Sequence, residues 1–204
     1  PLMNKKHFSV TKLDKTFGAI VQDVKLSKLT EAAAEELFSL WLRHSLLIFP
    51  DQHLSTKEQI EFAKLFGVME FDLAPISNVR SDGSLRDPVD DDIVKSLRGN
   101  MEWHHDSTYM PIQAKGSVFT AHQVPAEGGE TGWADMTAAY DALDQKMKDK
   151  IKGLSAYHSY LYSQAKYKHK SQEESEFSGY GFDVDPHPFR PLVKTHPETG
   201  RKSL

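Results

Sequence analysis

The sequence contains no cysteine. Disulfide bonds and thiolate metal ligands are therefore excluded, so any bound metal must be held by histidine and carboxylate side chains, which suit Fe(II), Mn(II) or zinc. No hydrophobic run is long enough to cross a bilayer, and the N-terminus shows no signal-peptide pattern. We therefore expect a soluble, cytoplasmic protein with no membrane partner.

An excess of positive charge is also absent. The chain has 25 Lys and Arg residues against 29 Asp and Glu residues, with a formal net charge of −4. Without a basic surface to neutralise phosphates, a nucleic-acid partner is not expected. The 204 residues are 39% hydrophobic and 10% aromatic, which is sufficient for a packed core in one domain.

Local patterns predict a mixed α+β fold. The spacing of apolar residues and of capping residues predicts helices over 30–45, 55–67 and 134–154, with Thr30, Ser55, Asp135 and Asp144 as caps. Apolar runs and turn residues predict strands within 8–24 around Gly18, at 46–50 (buried), 74–85 and 117–124, and a hairpin over 190–204 that turns at Pro197–Gly200.

Two polar stretches are expected to be mobile without substrate, namely residues 86–99 and the segment Gln164–Gly181. The first contains Asp90, Asp91 and Asp92, but it lacks the glycine and the distal glutamate of a calcium-binding loop. We interpret it as a surface loop, and we interpret residues 159–182, which contain the second stretch, as a lid or an extended surface segment.

The stretch EWHHDSTY, residues 102–109, carries the chemistry of greatest interest. If it forms a strand, His104 and Asp106 share one face and His105 points away. A His-x-Asp pair and one distant histidine form the two-histidine, one-carboxylate site of non-haem iron oxygenases, with open positions for other ligands. The alternative is purely structural: Asp106 caps the following turn and Trp103 lies in the core.

Several motifs together resemble the taurine dioxygenase-like family of iron(II)- and 2-oxoglutarate-dependent oxygenases, most strongly the branch containing the 2,4-dichlorophenoxyacetate dioxygenases. They follow the family's order and spacing over nearly the whole chain. They are HSLLIFPDQ (44–52), ISNV (76–79), NMEWHHDSTY (100–109), PAEGGETGWADMTAAYDAL (125–143), HSYLYS (158–163) and VKTHPETGRKSL (193–204).

The resemblance implies a double-stranded β-helix, or jelly roll, with flanking helices. It implies that His104 and Asp106 bind Fe(II), that the Thr131 hydroxyl binds the 2-oxoglutarate carboxylate, and that Asn100 lines the co-substrate and substrate pocket. Trp103 and Tyr109 are expected to pack rather than react. With O₂, the implied enzyme hydroxylates a small organic anion and releases succinate and CO₂.

The family's third ligand, a histidine, and its 2-oxoglutarate-binding arginine are expected beyond Leu204. His158, His187 and His196 are not expected to replace the histidine, because the family uses those segments differently. We therefore expect residues 1–204 to be a single oxygenase domain that lacks its C-terminal part. A homo-oligomer is also expected.

The expected substrate is an aryloxyalkanoate or a similar acid. Asp72 stands near the position where the taurine-specific members have a histidine, and Phe71 and Tyr109 offer aromatic surface. Arg80, Arg98 or an arginine beyond Leu204 is expected to balance the substrate's charge. The alternatives are a dioxygenase for taurine, alkyl sulfonates or alkyl sulfates, a non-catalytic jelly-roll binding protein, and a zinc hydrolase.

Overall fold

A computed structural model describes residues 7–70, 73–160, 162 and 186–204. The predictions for Phe71, for Asp72 and for the lid at Gln164–Gly181 lie outside these residues. The helices described are α1 (Glu31–His44), α2 (Thr56–Lys64), α3 (Asp92–Gly99), α4 (Met136–Ala142) and α5 (Gln145–Ile151). The strands described are β1 (Ser9–Lys12), β2 (Ala19–Gln22), β3 (Leu47–Ile48), β4 (Ser155–Tyr157), β5 (Phe189–Pro191), β6 (Lys194–Thr195) and β7 (Lys202–Ser203). The predicted mixed class is confirmed.

The chain divides into two compact units, each described here by itself. The first comprises Pro1–Met69, Ser117–Leu154 and Leu192–Leu204, and the second comprises Glu70–Gly116 and Ser155–Pro191. The first unit contains β1–β3, β6, β7 and all helices described except α3. The second contains α3, β4, β5 and the His-x-Asp motif.

The core of the first unit lies between α1, α2 and a three-stranded sheet of order β1-β2-β3. The β1 and β2 strands are antiparallel, whereas β2 and β3 are parallel. Val21 and Leu37 are fully buried. Gly18 precedes β2 with φ +94°, a backbone conformation that strains residues with a side chain, so this turn favours glycine.

The predicted helices are confirmed. Hydrogen bonds from the predicted capping residues fix where these helices begin. The Thr30 side chain accepts from Ala33 N at 3.2 Å at the start of α1. Ser55 and Glu58 form the predicted capping box of α2. The predicted helical region 134–154 contains two helices, and Asp135 and Asp144 cap them.

Three strand predictions are wrong in whole or in part. Residues 117–124 form no strand, and the Val118 carbonyl instead accepts from Gln59 Nε2 at 3.1 Å. Residues 74–85 contain only the bridge Val79–Leu85 around a turn, in which Gly83 N donates to the Arg80 carbonyl at 3.0 Å. The predicted buried strand 46–50 is reduced to β3, which lies at the edge of the described sheet, so Ile48 remains 40% exposed.

The surface loop predicted at residues 86–99 is wrong in its second part, because Asp92–Gly99 forms α3. Asp91 caps this helix, accepting from Ile93 N at 3.0 Å and Val94 N at 3.3 Å. The same carboxylate pairs with Arg80 at 2.8 Å and with Arg86 at 3.2 Å. These two arginines offset part of the negative charge of the segment, which was the basis for predicting a surface loop.

The C-terminal hairpin is confirmed. Strands β6 and β7 are antiparallel and pair Lys194 with Ser203, with the turn between them as predicted. Among the helices of the described residues, none has the length and apolar character needed to cross a membrane.

Candidate metal site

The His-x-Asp motif leads into a turn and does not form the predicted strand. Residues 106–109 form this turn, in which Ser107 has φ +56° and Met110 N donates to the Ser107 carbonyl at 3.1 Å. A strand requires a partner strand, and none pairs with these residues in the part of the chain described. The side chains of His104 and Asp106 nevertheless meet, because the turn begins at Asp106.

The His104 ring has a defined hydrogen-bonding pattern. Its Nδ1 atom lies 2.6 Å from the Glu102 carbonyl oxygen. A carbonyl can only accept, so Nδ1 carries the proton in this hydrogen bond. In the neutral ring, the lone pair is then on Nε2, which is the arrangement of a histidine that binds a metal through Nε2.

The second nitrogen of His104 faces the Asp106 carboxylate. Nε2 lies 3.1 Å from Asp106 Oδ1, and the two side chains are 48% and 67% exposed. With both atoms deprotonated, their lone pairs would oppose each other, so a proton or a metal ion must lie between them. Ligand atoms on adjacent corners, each about 2.1 Å from one ion, lie about 3.0 Å apart. The pair therefore fits two adjacent positions on one divalent metal.

Two ligands do not complete a site. Among the described residues, no group of three His, Asp or Glu side chains is placed to hold a metal. Within the first unit, His196 Nδ1 accepts from Glu198 N and Thr199 N in the hairpin turn. That His158, His187 and His196 do not serve as the third ligand stays a prediction.

His105 has a different environment from His104. The pKa of His158 is lowered by burial, by the Arg190 guanidinium and by His105. His105 thus lies close enough to His158 to interact electrostatically with it. The prediction that His105 does not join the metal pair is compatible with this, although the strand alternation behind it is absent.

The predicted co-substrate residues fall in different units. Asn100 is in the second unit with the metal pair, where it ends α3 and donates from its backbone N–H to Ser96. Thr131 is exposed in the first unit, after Gly128 and Gly129, which have φ +74° and +75°. A Cβ atom on Gly129 would lie 3.1 Å from Pro125 Cγ, so the turn before Thr131 depends on glycine.

The two aromatic residues of the motif, Trp103 and Tyr109, differ in how they pack. Tyr109 packs against Tyr160, with ring centroids 5.0 Å apart, as predicted. Trp103 is 75% exposed, so its predicted packing is not observed. Arg80 donates to Asp91, so its charge is already balanced and it is a poor choice to pair with a substrate anion.

Sequence reasoning missed Arg190 in this environment. Its guanidinium donates to the carbonyls of Thr108 and Met110, directly after the motif. About eighty positions separate the partners, so no local pattern could have indicated the contact.

Comparison with protein families gives a match over residues 9–204. The matching family model is described as Taurine catabolism dioxygenase TauD, TfdA family. The match includes the His-x-Asp pair, Asn100 and Thr131.

Similar individual proteins have related descriptions. An (S)-phenoxypropionate/alpha-ketoglutarate-dioxygenase of Sphingobium herbicidovorans is 57% identical over 199 residues, covering 97% of this chain and 69% of that protein. An alpha-ketoglutarate-dependent 2,4-dichlorophenoxyacetate dioxygenase of Cupriavidus pinatubonensis is 33% identical over 204 residues, covering 92% of this chain and 69% of that protein.

A solved structure is similar in three dimensions. It is the crystal structure of AAD-2 in complex with Mn(II) and N-oxalylglycine, with a TM-score of 0.84 and 35% sequence identity. The superposition covers 97% of this chain and 70% of AAD-2. The similar structure therefore contains a divalent metal.

Proposed function

The chain belongs to the TauD, TfdA family of jelly-roll dioxygenases that use Fe(II), 2-oxoglutarate (alpha-ketoglutarate) and O₂, and from this premise we propose that it hydroxylates aryloxyalkanoates. The convergence of His104 Nε2 and Asp106 Oδ1 at 3.1 Å is the observation that carries the metal-dependent part of the proposal. The name of the 57% identical relative supports a 2-phenoxypropionate as the substrate of this chain, with the S enantiomer preferred.

His104 and Asp106 would hold the iron on two adjacent positions. When bound with 2-oxoglutarate and O₂, iron supplies the oxidising power that replaces a C–H bond by C–OH, with succinate and CO₂ as co-products. The Glu102 carbonyl would keep the proton on His104 Nδ1, so that Nε2 stays directed at the metal. A third ligand and the arginine for the distal 2-oxoglutarate carboxylate are needed from elsewhere in the complete protein.

Hydroxylation at the carbon that bears the ether oxygen gives a hemiketal or hemiacetal. The hydroxyl loses its proton and becomes the carbonyl group, the bond between this carbon and the ether oxygen breaks, and the aryloxide leaves and takes up a proton. A 2-phenoxypropionate would thus yield phenol and pyruvate, and an aryloxyacetate would yield a phenol and glyoxylate. The family membership favours this oxidation over the zinc hydrolysis and the non-catalytic binding predicted as alternatives.

A substrate panel tests this proposal. The complete protein is supplied with Fe(II), 2-oxoglutarate, O₂ and, in turn, both enantiomers of 2-phenoxypropionate, an aryloxyacetate, an alkyl sulfate and taurine. We expect succinate and phenol in equal amounts with the aryloxy acids. Sulfite release from taurine without turnover of aryloxy acids would contradict the substrate class, and absence of succinate with every compound would contradict the enzymatic role.

The Thr131 hydroxyl is proposed to bind the 2-oxoglutarate carboxylate. Thr131→Val removes a hydrogen bond to a charged group, which contributes roughly 1.5–3 kcal/mol, so the KM for 2-oxoglutarate should rise about tenfold to 150-fold. Thr131→Ser keeps the hydroxyl and is the matched control, with a KM near that of the wild type. An unchanged KM in the valine variant would restrict Thr131 to a structural role.

Asn100 is proposed to line the pocket for the co-substrate and the substrate. The homo-oligomeric state and the cytoplasmic location remain predictions.

A further inference from the structure

The turn that begins at Asp106 is bound to a residue far away in sequence. Arg190 Nε donates to the Thr108 carbonyl at 2.5 Å, and Arg190 Nη2 donates to the Met110 carbonyl at 2.5 Å. All three residues are half-buried. One guanidinium thus holds two carbonyls of the segment that directly follows the proposed metal ligand.

Arg190 is itself fixed by backbone pairing. It lies in the middle of β5 and pairs with Ala156 of β4 in antiparallel register. The pairing extends beyond the strands, because His158 N donates to the Pro188 carbonyl at 2.9 Å. A guanidinium is planar with rigidly spaced donors, so its two hydrogen bonds set both the position and the orientation of the carbonyls.

The residue between the two carbonyls is held as well. Tyr109 packs against Tyr160 with ring centroids 5.0 Å apart. By contrast, the His104 side chain is about half exposed and the Asp106 side chain is largely exposed. Their relative placement therefore depends on the backbone of the turn, which contains the unfavourable positive φ of Ser107.

We propose that Arg190 is a positioning residue for the metal site: it anchors residues 108–110 so that the Asp106 carboxylate stays within reach of the metal bound by His104. This inference rests on the proposed metal-binding function of His104 and Asp106. Arg190 itself contacts neither ligand side chain through any described hydrogen bond. Its effect is to remove conformational freedom from the turn before the metal binds.

The test measures metal affinity in the complete protein. Arg190→Gln keeps a polar side chain but cannot donate both hydrogen bonds of the charged, planar guanidinium. We expect the Mn(II) dissociation constant to rise about 10–100-fold, as for other residues that orient metal ligands. Arg190→Lys, with one ammonium group, should give an intermediate constant. Arg201→Gln, an exposed arginine on the C-terminal hairpin, is the matched control and should bind Mn(II) as the wild type does.

Two further measurements distinguish positioning from a general structural role. The visible spectrum of the Co(II)-loaded protein reports coordination geometry, and it should change in the Arg190 variants but not in Arg201→Gln. The Tm of the metal-depleted protein should remain near the wild-type value in Arg190→Lys, which carries the test if the glutamine variant does not fold.

Unchanged Mn(II) affinity and an unchanged Co(II) spectrum in both Arg190 variants would overturn the proposal. A lowered Tm of the metal-depleted protein with normal metal affinity would overturn it too, because Arg190 would then be only structural. Failure of the underlying function is separately visible: in that case His104→Ala would bind Mn(II) as tightly as the wild type.

Discussion

Replacement of either His104 or Asp106 by alanine is expected to abolish turnover and to weaken Fe(II) binding more than about 100-fold. Substitution of residues that only orient a metal ligand already reduces affinity about 10–100-fold, so loss of a ligand itself should exceed that range. The geometric basis is the approach of His104 Nε2 to Asp106 Oδ1 at 3.1 Å, with Nδ1 held by the Glu102 carbonyl.

The matched control is His105→Ala, which removes the same ring one residue away. We expect it to retain Fe(II) affinity, measured anaerobically in the complete protein, because His105 interacts with His158 rather than completing the pair. Both ligand side chains are largely exposed, so their replacement should leave the Tm of the metal-depleted protein nearly unchanged. Equal loss of affinity at His105 and at His104 would contradict this assignment of ligands.

Replacement of Asp91 is expected to have a large effect on the stability of the fold. Its carboxylate is only 7% exposed, caps α3 and pairs with Arg80 and Arg86. Asp91→Ala removes the cap and leaves the two cations without their shared partner, so we expect a loss of about 2–4 kcal/mol in the free energy of unfolding. Asp91→Asn preserves a capping oxygen, so it should lose less, about 1–2 kcal/mol.

The pH dependence of this effect has a definite sign. Burial alone would raise the pKa of Asp91, but hydrogen bonds from Val94 N, Arg86 and Ile93 N outweigh it and lower the pKa below the ordinary 3.8. A carboxyl group with a depressed pKa stabilises the folded state above its unfolded pKa and loses this contribution as the pH falls through the folded value. The difference in the free energy of unfolding between the wild type and Asp91→Asn should therefore have its full size at neutral pH and shrink below about pH 4.

Urea unfolding of the complete protein at neutral and acidic pH measures both effects. Asp90→Asn, at the adjacent position, is the control. The Asp90 carboxylate is 88% exposed and lies 4.0 Å from Lys95 Nζ, so its replacement should change the free energy of unfolding little. If the difference in the free energy of unfolding between the wild type and Asp91→Asn stays constant down to pH 3, the charged form of Asp91 is excluded as the source of the stabilisation.

Local hydrogen bonds explain which elements could be predicted. The caps at Ser55, Asp135 and Asp144 were found from the sequence because each side chain bonds to a backbone group two or three residues away. The strands expected at 74–85 and 117–124 were wrong because a strand is defined by a distant partner that local pattern does not specify. Helix α3 was missed because the arginines that offset its acidic start act through side-chain pairing.

The sequence by itself determined the kind of metal ligand, since without cysteine only imidazole and carboxylate remain. It also determined the family, because the His-x-Asp and Gly-Gly-x-Thr motifs and their spacing can be read directly along the chain. Only the tertiary structure decided how His104 and Asp106 meet, through a turn with positive φ at Ser107 instead of along one face of a strand. It alone brought Arg190 to that turn, because contacts between residues about eighty positions apart depend on how the whole chain packs.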